Sequence, residues 1–316
     1  MAWPRWLGGR GQTSAGGSAT AVPARFGPLV DEALLRRLER LSLVVRRKVA
    51  GGLGGEHRSS ARASSLDFAD YRPYQPGDDF RRIDWNAYGR SGHLYVKLTE
   101  AREQLPVYIL VDASRSMAWG EPTKLTYASQ IAAALGYVAL ARYDRLTVTA
   151  LGERPQQLSS VRGRSRLAAL LVFLDGLRPS GAIDLSAALA GQRVDRRAGG
   201  LAIVISDLLS PDGYEEGLDA LLQAGLDVVV IQVLSPQELE PAEGGDVELE
   251  DAETGEIVQV SLTPRMIGVY RERLDRWCAD AEDACARRGI TYLRTATDVP
   301  LEDLLLEQLR RVGVLK

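Results

Sequence analysis

Histidine is almost missing from this chain. Of its 316 residues only His57 and His93 carry an imidazole, too few for the Cys/His clusters of a structural zinc site. Cysteine is equally scarce. Cys278 and Cys285 lie seven apart in a helical pattern, which puts them on one face but about 10 Å apart along the axis, too far for a disulfide. Their expected role is core packing, because nothing nearby in sequence would activate a thiol. Long apolar runs are also missing. The longest nearly apolar stretch, Ile131 to Ala141, falls far short of the ~20 residues that span a bilayer, so no transmembrane helix is expected. The opening residues, with Trp3, Pro4 and Trp6 followed by Gly, Ser, Ala and Thr, lack the apolar centre of a signal peptide. Together these absences point to a cytoplasmic protein.

Charge of one sign is lacking overall, since the formal net charge is −3, but the balance is uneven along the chain. Residues 1–105 hold 17 Lys/Arg against 11 Asp/Glu, which is +6, and the remainder holds 22 against 31, which is −9. A basic half invites a nucleic-acid reading. It is set aside here, because the arginines alternate with acids and no nucleic-acid motif accompanies them. At 45% hydrophobic and 26% charged, the composition is that of a soluble globular protein with a core of normal size.

What the chain does have is a run around which the rest can be organised. Val107-Tyr108-Ile109-Leu110-Val111 is followed by Asp112-Ala113-Ser114-Arg115-Ser116-Met117, an apolar strand that ends in an acid and two hydroxyls at alternate positions. A strand buried on both faces delivers such side chains to its carboxyl end, where ligands of open α/β sheets bind. One carboxylate and two alcohols are hard oxygen donors. They suit Mg²⁺, with Mn²⁺ as an alternative, and suit zinc or copper poorly.

The remaining periodicities alternate. A helix over Lys124–Tyr143, a strand over Arg145–Leu151, helices near 165–177 and 184–196, a strand over 201–205, a helix near 213–224 and a strand over 228–233 imply βαβ units. Runs 246–250 and 256–260 flank a glycine-bearing turn and read as a β-hairpin at or beyond the sheet edge. Arg265–Arg288 is a long amphipathic helix, 291–294 a last strand and 300–311 a closing helix. The fold class expected is α/β, a doubly wound and mostly parallel sheet, with a small N-terminal α+β segment and an inserted hairpin.

Ahead of this domain, residues 1–27 read as a mobile tail. From Pro28 the apolar residues Val30, Leu34, Leu35, Leu38, Leu41, Val44 and Val45 recur at helical spacing over four to five turns. A glycine cluster at 51–55 lacks the Lys-Ser/Thr of a phosphate loop and reads as a connector. Then comes Tyr71-Arg72-Pro73-Tyr74-Gln75-Pro76-Gly77-Asp78-Asp79-Phe80-Arg81-Arg82-Ile83-Asp84-Trp85-Asn86-Ala87-Tyr88-Gly89-Arg90, in which every charge has an opposite neighbour. Two readings stay open. The acids and arginines form an internal ion-pair network, or Asp78, Asp79, Arg81, Arg82, Asp84, Trp85 and Arg90 present a docking surface to a partner.

Two resemblances follow from these residues. Asp112-x-Ser114-x-Ser116 after an apolar strand resembles the metal-ion-dependent adhesion site of von Willebrand factor A domains. The resemblance implies a third-loop acid, matched by Asp207 after strand 201–205, and a second-loop threonine, where this chain has Ile183. Asp184, Ser180 or Ser186 could substitute, or the site could bind metal weakly or not at all. The segment Gly77-Asp78-Asp79-Phe80-Arg81-Arg82-Ile83-Asp84-Trp85 resembles the hallmark of the family called domain of unknown function 58, in which such a segment precedes a von Willebrand A-like domain. Residues 28–105 would be that segment and 106–316 that domain.

The second resemblance implies a non-enzymatic adaptor working beside a MoxR-type AAA ATPase in protein assembly or remodelling. The alternatives are a metal-free scaffold with a degenerate site, or a Mg²⁺-dependent phosphatase. Serine catalysis is disfavoured, because Ser114 and Ser116 have no histidine near in sequence and no nucleophile elbow. Phosphoryl transfer is disfavoured because Arg115 alone offers positive charge in the presumed crevice.

Overall fold

The computed structural model describes residues 29–45, 66–75, 78, 80, 83–101, 104–195, 199–241, 246–250 and 257–316. They fall into two compact units, one made of 29–45 with 105–316 and the other lying between Gly51 and Gln104. The expected tail over 1–27 and the glycine connector over 51–55 lie outside the described residues.

The first helix, α1 (Glu32–Leu38), is capped by the Asp31 carboxylate, which accepts from the Leu34 N–H, and it buries Leu34, Leu35 and Leu38. It is much shorter than the four to five turns expected. Beyond Leu41 the backbone is drawn into strand-like pairing with the far end of the chain. Ser42 and Lys316 exchange N–H···O bonds at 3.0 Å each way, and the Val44 N–H donates to Val314 O. Tertiary pairing has overridden a helical pattern. Leu29 to Leu41 therefore belong to the core of the larger unit, which corrects the boundary placed at 28–105.

In the smaller unit, β1 (Leu66–Pro73), α2 (Trp85–Ser91) and β2 (Tyr95–Ala101) form an antiparallel pair of strands with a helix between them in sequence. The Asp84 side chain caps α2, accepting from the Asn86 and Ala87 N–H groups, and Gly92 ends the helix at φ +68°. That left-handed turn suits glycine.

The larger unit is built on β3 (Pro106–Asp112), which is buried at every position. It continues through α3 (Lys124–Ala141), β4 (Arg145–Leu151), β5 (Gln156–Val161), α4 (Leu167–Asp175), α5 (Leu185–Ala190), β6 (Gly200–Ser206), α6 (Glu215–Gln223), β7 (Leu226–Leu234) and α7 (Pro236–Leu239). The hairpin β8 (Asp246–Glu250) and β9 (Ile257–Ser261), α8 (Pro264–Arg287), β10 (Thr291–Ala296) and a closing helical run over 301–311 complete it. The last of these has a π-helical stretch at Leu304–Gln308.

Six strands make the main sheet in the order β10-β7-β6-β3-β4-β5, all parallel except the β4–β5 pair. Counted along the chain this is the doubly wound order 3-2-1-4-5-6, whose switch point falls between its first and fourth strands, here β3 and β6. The α/β expectation is met. Because strand side chains alternate, Val107, Ile109 and Val111 enter the core with α1, α3, α4 and the closing helix, whereas Tyr108 and Leu110 enter the core with α5, α6 and α8. At Gly136 a Cβ would sit 2.7 Å from Leu170 Cδ2, so α3 and α4 approach where no side chain fits.

Two details differ from expectation, and the sequence leaves a third open. β5 was not foreseen, because an exposed polar edge strand carries little alternation. α5 ends at Ala190 rather than near 196, and the chain beyond it is held by a bond from the Asp195 N–H to the Tyr108 hydroxyl. The hairpin pairs only with itself and does not extend the main sheet. Among the described residues, no helix is long and apolar enough to cross a membrane.

Candidate functional site at the switch point

β3 carries Asp112 to the rim, and the loop that follows is anchored on both sides. The Ala113 N–H donates to Leu151 O at the end of β4, the Ala113 carbonyl accepts from Ser180 N–H, and the Arg115 N–H donates to Gly181 O. The Asp112 carboxylate accepts from the Ser114 N–H at 2.9 Å and from the Ser206 hydroxyl at 2.5 Å. Ser114 Oγ lies 3.0 Å from Ser116 Oγ, and Ser116 donates to Asp207 Oδ2 at 2.7 Å. Asp207 Oδ1 accepts from the Leu209 N–H. Two hydroxyls and the Ser114 N–H thus link the two acids across the switch point, so Asp112, Ser114, Ser116 and Asp207 come together as the resemblance implied.

Two further residues complete the cluster. Lys124, the first residue of α3, is wholly buried, and its Nζ lies 2.7 Å from Asp207 Oδ2 and 2.5 Å from Glu238 Oε1. Glu238 sits on α7, where it also closes a capping box: Ser235 N–H donates to its Oε2, and Ser235 Oγ accepts from its N–H. The Tyr270 hydroxyl holds the Glu238 carbonyl. Gln232 Nε2 donates to the Asp207 carbonyl and its Oε1 accepts from Tyr292. Sequence reasoning missed Lys124 and Glu238. The available signals were a lysine opening an otherwise apolar helix and a Ser-Pro-Gln-Glu helix start, and neither announces the other across 114 positions.

Burial dominates the electrostatics. It pushes the Asp112 carboxyl up to about 6, with the neighbouring Asp207 charge adding to the rise and the bonds from Ser206 and Ser114 opposing it. For Lys124 burial alone would lower the ammonium's pKa, but Asp207 and Glu238 outweigh it and the net shift is upward. Lys124 therefore stays charged.

The other expected metal donors are elsewhere. Asp184 caps α5, its Oδ1 accepting from the Ala187 N–H, and is exposed, so it does not join the cluster. An aspartate directly ahead of a helix satisfies a free backbone N–H more readily than it reaches across a crevice. Ser186 Oγ accepts from the Gly217 N–H and ties α5 to α6. Ile183, half-buried, packs against the core beneath α5. The donor set that results does not fit a divalent ion. Mg²⁺ asks for one or two free carboxylates and a rigid octahedron, yet Asp207 is already paired with an ammonium and Ile183 offers hydrocarbon. Among the described residues, no three His, Cys, Asp or Glu side chains are grouped as a metal shell.

In the smaller unit, Asp79, Arg81 and Arg82 lie outside the described residues. Asp78 Oδ2 accepts from the Gln75 N–H, Asp84 is the buried cap of α2, and Arg90 Nε donates to Asn86 O. Trp85 is 61% exposed and meets Tyr88 edge-to-face at 6.3 Å, with Phe80 65% exposed. Among the described residues of this unit, the large exposed apolar side chains are these three aromatics.

A family model described as protein of unknown function DUF58 matches residues 70–282. An uncharacterized protein of Mycobacterium tuberculosis (strain H37Rv) is 32% identical over 278 residues, covering 86% of this chain and 87% of its own, and one from Mycobacterium bovis matches equally. Among solved structures, the conserved hypothetical protein BatB from Bacteroides thetaiotaomicron has 16% identity and a TM-score of 0.40 over 66% of this chain and 98% of its own. The manganese-loaded TRAP protein of Plasmodium vivax has 22% identity and a TM-score of 0.32 over 41% and 57%.

Proposed function

The chain belongs to the DUF58 family, and from that premise and the geometry of its rim we propose that it is a non-enzymatic, protein-binding adaptor of the cytoplasm. The observation that carries this reading is the state of the rim groups. The acids at the switch point are engaged by hydroxyls, backbone N–H groups and one ammonium, so these groups are spent on holding the rim together. The only buried cation of the cluster, Lys124, is held between two carboxylates, so it is not aimed at a phosphate as phosphoryl transfer requires. What remains on offer is a polar edge: Arg115 exposed and Ser116 partly so, on a loop pinned by β4 and by the Gly181 carbonyl. A rigid edge of this kind recognises a partner without reorganising.

The partner this reading assigns is a MoxR-type AAA ATPase, as the family resemblance implies, with the Trp85 and Tyr88 surface as a second contact. Exposed Trp, Tyr and Arg are the residue types that dominate binding energy at interfaces. The test is capture of that ATPase from native extract on the immobilised full chain. Retention is expected for the wild type, with at least a tenfold loss for Arg115→Glu or Trp85→Ala, as removal of an interface anchor worth about 1.4 kcal/mol or more produces. Failure to retain any such ATPase, or equal retention by all three proteins, refutes the proposal.

A further inference from the structure

The mismatch between the rim and a divalent ion is itself informative. Lys124 occupies a costly position: an ammonium is wholly buried, and it stands at the first residue of an 18-residue helix, where the helix dipole disfavours positive charge. Both costs are offset by Asp207 and Glu238, its two charge partners at 2.7 and 2.5 Å. The Asp207 oxygen that takes the ammonium is the same one that accepts from Ser116. The cation is thus joined through one atom to the hydroxyl chain of the first loop. Its other partner fixes α7, and through the Tyr270 bond α8 as well. Meanwhile the second loop, which in the resembled site contributes an oxygen, contributes Ile183.

We infer that Lys124 is a tethered cation standing in for the divalent ion of the resembled adhesion site, so that the rim is assembled without added metal. This deepens the adaptor reading and rests on it only for the rim's use as a binding surface. Metal binding to the isolated chain is decided whether or not a partner is ever captured.

The experiment titrates the full chain with MgCl₂ and MnCl₂ by calorimetry, and melts it with each salt and with EDTA. For the wild type no saturable heat and the same Tm in every buffer are expected. In Lys124→Met/Glu238→Gln, which frees Asp207 and removes the second acid, Mn²⁺ is expected to raise Tm by roughly 5 °C at a hundredfold excess over Kd. Adding Asp207→Asn should abolish that rise. Saturable Mn²⁺ binding by the wild type that is lost in Asp207→Asn overturns the inference, and so does a folded double variant indifferent to metal. Should the double variant not fold, the wild-type titration decides alone, silence upholding the inference and saturable binding overturning it. In the capture assay, wild-type retention unchanged by EDTA adds support, and loss of retention on chelation counts against it.

Discussion

Asp112 and Asp207 stand at the ends of adjacent strands, are buried to almost the same degree, and are linked through Ser114 and Ser116, yet their neighbours differ in charge. Asp112 faces only neutral donors, and burial moves its carboxyl up to about 6. Asp207 has an ammonium at 2.7 Å. At equal depth, one carboxylate meets only neutral donors and the other meets a cation. The rim therefore has two halves of different character, one proton-dependent and one built around an ion pair.

The strongest blow to this contrast is to remove the ammonium. Lys124→Met strands Asp207 and Glu238 without their cation, and the expected loss is about 3–5 kcal/mol, read as a fall in the urea midpoint at unchanged m-value. A loss below about 1 kcal/mol would mean that the buried ammonium contributes no more than an exposed ion pair does. The Asp112 half is tested by pH. Its folded pKa lies above the unfolded value of 3.8, so the folded state binds the extra proton. The stability this contributes is fully present below pH 4 and lost as pH rises to about 6, a swing on the order of 3 kcal/mol. Urea unfolding of Asp112→Asn between pH 4 and 7 should lack that decline, and an unchanged pH profile would refute the assignment. The smallest effect expected is that of Asp184→Ala. As a helix cap lying outside the cluster it should cost about 1 kcal/mol in thermal melts, leaving the metal titration of the Lys124→Met/Glu238→Gln protein as it was.

Much of the scaffold was legible because its determinants are local. The run from Val107 to Asp112, the strands at 145–151 and 200–206, and the long helices at 124–141 and 264–287 are each specified by their own periodicity. The convergence of Asp112 with Asp207 was implied by the resemblance to the adhesion site, which asks for an acid after strand 201–205. What could not be read depends on distant partners. Lys124 and Glu238 meet across 114 positions, and the segment after Leu41 is extended because Val314 to Lys316 pair with it. Asp184 was misjudged for the opposite reason, since a purely local demand, the open N–H of Ala187, claimed a side chain expected to serve a distant site.

That ladder between residues 42–44 and 314–316 has a further consequence. Residues 42–44 find these partners only once residues 314–316 have been made, so in synthesis from the amino end this pairing is a late one in the larger unit. The smaller unit, whose strands lie between residues 66 and 101, emerges long before that closure and is tethered at both ends to a body still being finished.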